Sequence, residues 1–293
     1  MILVVGATSR LGRAVVGELL AGGWPVRAAC RHPAAAADLL ALGAEVVAID
    51  LRTPASFAPA LDGVQRVFTA VHGLTGRPGD SLAKVDVEGH IALIGAAAGG
   101  VERFVYTSAM GAAPDHPVPF WRAKAEVERR LTRSGLSFTI LRPSAFMDFH
   151  AHQLIGAAVL AGKPVNILGR GDARRNLVAV CDVATAAVAA LTTDRYLGRT
   201  LEIGSPDSLS DLEVADLYAQ LSGRPAKIRS LGPGALRVLS VLIRPFHAGA
   251  ANILRIPLQT EGRTEPPFDA SGMAEILGRA PLTLAAYARD RAR

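Results

Sequence analysis

One turn near the start of the chain has the residue types that hold a diphosphate. Gly6-Ala7-Thr8-Ser9-Arg10-Leu11-Gly12 follows the apolar run Ile2–Val5 and opens an alanine-rich stretch, Leu11–Leu20, that stops at Gly22-Gly23. Glycine at 6 permits a tight turn, the start of a helix offers unpaired N–H groups and partial positive charge, and glycine at 12 lets helix and strand approach closely. The spacing gains its meaning from its place between a first strand and a first helix. Ser9 stands where a middle glycine is common, and its hydroxyl can reach a phosphate. Gly6, Thr8, Ser9, Arg10, Leu11 and Gly12 are therefore the expected diphosphate contacts.

The second apolar run ends Ala29-Cys30-Arg31-His32. A site built for NAD(H) usually puts an acid there, to hold a ribose 2′-hydroxyl. Here Arg31 is placed to pair with a 2′-phosphate, with Arg10 nearby in the glycine turn, because guanidinium and phosphate share paired hydrogen bonds. NADP(H) is the preferred coenzyme on this reading, and NAD(H) the secondary one. The plain alternative for Arg31 is a solvated surface residue. The end of the next apolar run, Thr69–His72, brings Ala70 and Val71 to the other side of the same coenzyme.

Other reactive residues form no pattern of their own. His150 and His152 lie two apart, but no further ligands follow at metal spacing, so no metal is expected. Cys30 and Cys181 lack metal or redox-pair spacing. No serine–histidine–aspartate set or carboxylate pair stands out.

Several segments together carry a resemblance. Gly6-Ala-Thr, Val105-Tyr-Thr-Ser108, Lys124-Ala-Glu126, Ser134 through Pro143, Phe146-Met147, Thr200 through Gly204 and Pro281 through Leu284 resemble the NmrA-like group of atypical short-chain dehydrogenase/reductases. The resemblance spans nearly the whole chain. It implies a fold and a nicotinamide coenzyme, but no substrate, since the group includes reductases, quinone reductases and non-catalytic redox sensors. It puts Asp50-Leu51 at the adenine, although Asp50 can equally cap a turn. It puts Ser108 opposite the nicotinamide, where a hydroxyl can hold a substrate oxygen, or else Ser108 caps the turn. Arg142 either positions the loop below the nicotinamide or is structural.

Short-chain reductases pair a tyrosine acid with a lysine one helical turn later, which lowers the phenol's pKa and binds the ribose. Lys124 is present, but Phe120 occupies the tyrosine position and cannot give a proton. Lys124 and Ser108 remain as the catalytic candidates, and Phe120, Met147 and His150 as the substrate pocket. A proton would come from Lys124, water, His72, His150 or His152. The surface alternative for Lys124 rests on its place among opposite charges at helical spacing, such as Lys124–Glu128 and Glu126–Arg130.

These residues need a frame. Strands are expected at Ile2–Val5, Val26–Cys30, Glu45–Ile49, Val67–Val71, Arg103–Thr107 and Phe138–Leu141. Helices are expected between them, including Val85–Ala98 and Phe120–Arg133, and a capping box at Ser210-Asp-Leu-Glu213 starts another. Continuously apolar strands alternating with helices predict an α/β, doubly wound parallel sheet, a Rossmann fold. The expected division is 1–150 for the NAD(P)-binding Rossmann domain and 151–293 for a smaller α/β substrate lobe, with segments around 165–204 returning to the sheet. The stretch 223–267 is expected to hold irregular helices.

The chain has 293 residues, half of them hydrophobic, which suits a packed globular protein rather than a disordered one. The formal charge is +6, but the arginines are spread along the whole chain, with no basic run carrying interleaved aromatics, so no nucleic-acid partner is expected. No apolar run is long enough to span a bilayer, so no membrane is expected; the strand that starts at once leaves no room for an export signal, and the cytoplasm is the default compartment. The expected partner is a small molecule, and the expected assembly a monomer or homodimer. Two functions fit: an NADP(H)-dependent oxidoreductase reducing a small apolar quinone, enone or carbonyl compound, or a non-catalytic NADP(H)-binding redox sensor.

Overall fold

A computed structural model describes residues 1–74, 80–243, 246–260 and 264–292. Strands β1 (Ile2–Val5), β2 (Val26–Cys30), β3 (Glu45–Ala48), β4 (Arg66–Thr69), β5 (Arg103–Thr107) and β6 (Phe138–Pro143) alternate with helices. These are α1 (Arg10–Ala21), α2 (Ala37–Ala41), α3 (Phe57–Leu61), α4 (His90–Ala97) and α5 (Pro119–Thr132). A wide-turned π-helical run, Leu82–Gly89, leads into α4. Next come β7 (Ala145–Phe146), a second π-helical run Met147–Gly156, α6 (Ala157–Leu160), β8 (Val165–Leu168), β9 (Arg175–Val178), α7 (Val180–Thr192), β10 (Arg199–Ile203) and β11 (Ser208–Leu209). The chain ends with α8 (Asp211–Ser222), β12 (Ile228–Leu231), α9 (Pro233–Ile243), α10 (Ala248–Thr260), α11 (Ser271–Leu277) and α12 (Leu284–Arg291).

The central sheet has seven strands in the order β10-β6-β5-β4-β1-β2-β3 and is parallel, as the doubly wound reading requires. Each parallel neighbour needs a crossover, and the helices provide it. β1 and β5 are buried along their whole length, which is why their sequences lack a polar alternation. Leu3, Val5, Phe104, Tyr106 and Ile140 of the sheet join Leu93, Ile94, Val127 and Leu131 of the helices in one core.

The chain divides into two compact units, Met1–Pro143 with Val183–Glu202, and Ser144–Asp182 with Ile203–Arg293. The return of residues 183–202 has a visible cause. Arg103, 6% exposed at the start of β5, donates to the carbonyls of Leu191 and Thr193 at 2.8 Å each and pairs with Asp194. A guanidinium thus satisfies the open C-terminus of α7. β8 and β9 do not return; they belong to the second unit, in the sheets β12-β8 and β11-β9-β7. That unit has its own core of Met147, Ala151, Ile155, Val214, Tyr218 and Leu284.

The capping box forms: Ser210 Oγ accepts from the Glu213 N–H and the Glu213 carboxylate accepts from the Ser210 N–H. Within 223–267 the regular elements are β12, α9 and α10; residues 244–245 and 261–263 of that stretch lie outside the described residues. Among the described residues, no helix is long and apolar enough to cross a membrane.

Candidate functional site

The glycine turn has the shape the residue types demand. Gly6 has φ +85°, a left-handed conformation open to glycine and strained for other residues. A Cβ on Gly12 would lie 2.2 Å from the Gly6 carbonyl oxygen, so the start of α1 rests directly on the end of β1. Ser9 is the N-cap: its backbone is extended (φ −72°, ψ 163°) and its Oγ accepts from the Gly12 N–H at 2.9 Å. A residue in this conformation needs no glycine, which explains the departure at the middle position. The hydroxyl is an acceptor in this cap, and its own O–H remains a donor for a phosphate. The first turn of α1 contains no acid of its own to offset the positive end of the helix.

Beside this turn lies a charged cluster. Arg31 Nη1 donates to both oxygens of Asp80 at 3.2 and 3.0 Å, and Arg52 Nη1 reaches the same carboxylate at 3.0 Å. Arg52 also grips Asp50, with Nη2 to Oδ2 at 2.6 Å, and holds its carboxyl below the usual range. Asp50 Oδ1 accepts from the Arg52 N–H at 2.9 Å, an Asx turn of the kind the sequence left open. Arg31 is therefore neither free in solvent nor alone. It is one of two guanidinium groups converging on a carboxylate. Asp80 and Arg52 escape a sequence reading because they are distant in the chain and carry no motif. Leu51 is buried, while Ala70 and Val71 follow β4, with Val71 Cγ2 against the open face of Gly6.

The catalytic candidates converge around a buried ion pair. Lys124, 3% exposed, donates from Nζ to the Thr107 carbonyl at 3.2 Å and lies 3.7 Å from Asp86 Oδ1. Asp86 is fully buried, and its Oδ2 accepts from the Gly73 N–H at 2.6 Å. Desolvation pulls the Lys124 ammonium down and pushes the Asp86 carboxyl up, and each charge partly restores the other. This overturns the surface reading of Lys124. The helical pair Lys124–Glu128 does not form; Glu128 instead accepts two bonds from Arg142, at 2.9 and 2.6 Å. Arg142 thus ties β6 to α5.

Asp86 belongs to no motif, yet the sequence carries a signal for it. Val85, Asp86, Gly89, His90, Leu93, Ile94 and Ala97 form one buried stripe, so Asp86 and His90 fall where the pattern calls for apolar side chains. His90 is also fully buried. Its Nε2 meets Thr69 Oγ1 at 3.1 Å and its Nδ1 faces the Val85 carbonyl at 3.0 Å. Burial, then the charge of Lys124, lowers its pKa to about 3.

Phe120 lies one turn before Lys124, with Nζ 5.5 Å from its ring centre, and the His72 ring stands nearly perpendicular to it with ring centres 6.3 Å apart. The Tyr106 ring is 5.1 Å from the same nitrogen. Tyr106 belongs to the core, and burial raises its phenol far above its ordinary value. Ser108 is 4% exposed, and neither its Oγ nor Thr107 Oγ1 has a partner among the described residues. Of the other pocket candidates, Met147 is fully enclosed in the core of the second unit, so packing is its visible role. His150, half-buried in that unit, is held at a pKa of about 3 by desolvation and then by Arg175.

These residues fit a nicotinamide dinucleotide. An acid-free helix start, glycines where backbone must come close, two arginines beside it, a buried ammonium and two orphaned hydroxyls are what its diphosphate, phosphorylated ribose and nicotinamide half require.

Comparison with known proteins agrees. The family model described as NAD(P)H-binding matches residues 6–194. The NAD(P)H azoreductase of Xenophilus azovorans is 33% identical over 228 residues, 78% of this chain and 76% of the relative. The photosystem II assembly factor Ycf39 of Synechocystis is 31% identical over 251 residues, 84% of this chain and 74% of the relative. The NADPH-dependent quinone oxidoreductase QOR2 of Escherichia coli, solved with NADPH, has a TM-score of 0.79 at 23% identity with all of both chains covered, a likeness of fold. The NmrA-like resemblance fits all three. On its glycine turn, its sheet and these matches, the chain belongs to the NAD(P)H-binding family of Rossmann proteins.

Proposed function

We propose that this protein is an NADP(H)-dependent oxidoreductase that reduces a small apolar acceptor, a quinone, enone or carbonyl compound, without a catalytic tyrosine. The observation that carries the reading is the buried Lys124–Asp86 pair, 3.7 Å apart, its ammonium on the carbonyl of Thr107, next in the chain to Ser108, whose hydroxyl has no partner among the described residues. Burying two charges costs several kcal/mol each, so the pair is expensive as a purely structural device. Asp86 favours the charged form of Lys124 against the desolvation that lowers its pKa. Thr107 orients the ammonium, which retains a donor for a ribose hydroxyl. The bound nicotinamide would supply the hydride. Ser108 Oγ can donate to the acceptor oxygen as negative charge develops there. Phe120 provides an apolar wall in place of an acid. The proton comes from solvent; His72 adjoins Phe120, but desolvation and then the charge of Lys124 hold its imidazole below its ordinary pKa and make it a poor donor. Arg31 and Arg52 select the phosphorylated ribose. The named activity of the azoreductase relative supports the reading.

The test is NADPH oxidation against quinones, enones, azo dyes and simple ketones. Turnover is expected with the first two classes, and none above background with any member overturns the proposal. A second reading, an NADP(H)-responsive regulator, draws on Phe120 and on a relative named as an assembly factor. It requires unequal affinities for NADP+ and NADPH, and equal dissociation constants remove it.

A further inference from the structure

The positive charge of this protein is not spread evenly. Residues 217–260 contain Arg224, Lys227, Arg229, Arg237, Arg244 and Arg255 and no aspartate or glutamate. The other 26 basic residues are balanced by 26 acidic ones, so the whole formal charge of +6 resides in this one segment. Arginines elsewhere commonly face carboxylates, as Arg27, Arg142, Arg174 and Arg279 do. Among the described residues, Arg224, Lys227, Arg229, Arg237 and Arg255 have no carboxylate partner. Arg224 and Lys227 donate instead to the carbonyls of Leu160 and Gly162, at 2.9 and 3.4 Å.

The same segment exposes apolar side chains. Helix α9 buries Leu236 and Ser240 and turns Arg237, Val238, Val241 and Leu242 outward. Val238, Val241 and Leu242 are 61, 60 and 63% exposed, and Phe246, just beyond the helix, is 90% exposed. Helix α10 packs against α9 without covering this face. An outer helix face should be polar; here its one charged residue is Arg237, at the margin.

We propose that α9 and Phe246 dock on an anionic lipid surface, lying in the plane of the interface. An apolar stripe with an aromatic residue at its end, in a segment that lacks acids and whose basic residues have no carboxylate partner among the described residues, matches the chemistry of headgroups above acyl chains. A second copy of the chain is a poorer occupant, because a self-complementary contact would bring two segments of like charge together. The absence of a spanning run does not bear on a helix that lies flat. The inference stands apart from the reductase reading, since it uses none of the residues of that site.

The full chain is sedimented with vesicles of phosphatidylcholine alone or mixed with phosphatidylglycerol. Binding to the mixed vesicles is expected, weakening as salt rises. Arg237→Gln should lower the partition coefficient about fivefold, and Leu242→Glu with Phe246→Ser at least about tenfold. Phe246→Trp, at a position already open to solvent, should shift the emission of the introduced indole to the blue on mixed vesicles and not on neutral ones. No binding to mixed vesicles overturns the proposal, as does equal binding to both kinds or an indole emission that stays in place. A concentration-dependent dimer dissolved by Leu242→Glu, without vesicle binding, assigns the face to a second copy and overturns it too.

Discussion

Replacing Asp86 by asparagine removes one charge from the buried pair and little else. The carbonyl of the introduced amide can still accept from the Gly73 N–H, so the 2.6 Å bond of the parent has a substitute. What disappears is the attraction across 3.7 Å to Lys124. At an effective dielectric of about 20 that attraction is about 4–5 kcal/mol. Removing one partner of a buried pair typically costs about 3–5 kcal/mol, since the survivor stays buried and uncompensated. With roughly 2–4 °C per kcal/mol in a unit of this size, the melting temperature should fall by roughly 6–20 °C. Lys124→Met should cost a similar amount, leaving Asp86 alone. The double variant should lose far less than the sum, because neither charge remains. Urea midpoints of the four proteins close the cycle. A loss below about 1 kcal/mol for Asp86→Asn, or losses that simply add, would refute the claim that these two groups favour each other's charged form.

Three further outcomes follow from the same geometry. Phe120→Tyr puts a phenol one turn before Lys124 and should raise turnover of simple ketones by about 10²–10⁴-fold; NADPH oxidation rates that stay at the parent level contradict the assigned place of Phe120. Arg31→Ala should weaken NADPH at least about tenfold and NADH less than about twofold by calorimetry, and equal losses would remove Arg31 from coenzyme selection. His90 has a folded pKa of about 3, below its ordinary 6.5, so the unfolded chain takes up the proton first as pH falls. Its contribution is complete above about pH 6.5 and drains toward pH 3, by up to about 1.4 kcal/mol per unit. Urea stability between pH 7 and 5 should therefore fall more steeply in the parent than in His90→Gln, and parallel slopes would count against a buried neutral His90.

The sequence determined the coenzyme end of the site. Gly6 and Gly12 are separated by a fixed length of turn, and the apolar runs on either side force a strand and a helix, so their meeting is a local matter. The absence of an acid after β2 was readable in the same way. Even the odd residue, Ser9, proved consistent with local rules, as an N-cap.

Tertiary structure decided the rest. Lys124 reads as part of a charged surface pattern until β5 and the Leu82–Gly89 run close over it; only then does its partner become Asp86, 38 positions away, rather than Glu128. Arg31 and Arg52 meet on Asp80 across segments that no spacing connects. Met147 passed for a pocket residue in the chain, but the second unit needed its volume for a core. Periodicity reports which face of an element is apolar, over a few residues. Which charges become neighbours depends on how distant elements stack, and the cost of burying a charge without a partner makes that stacking selective.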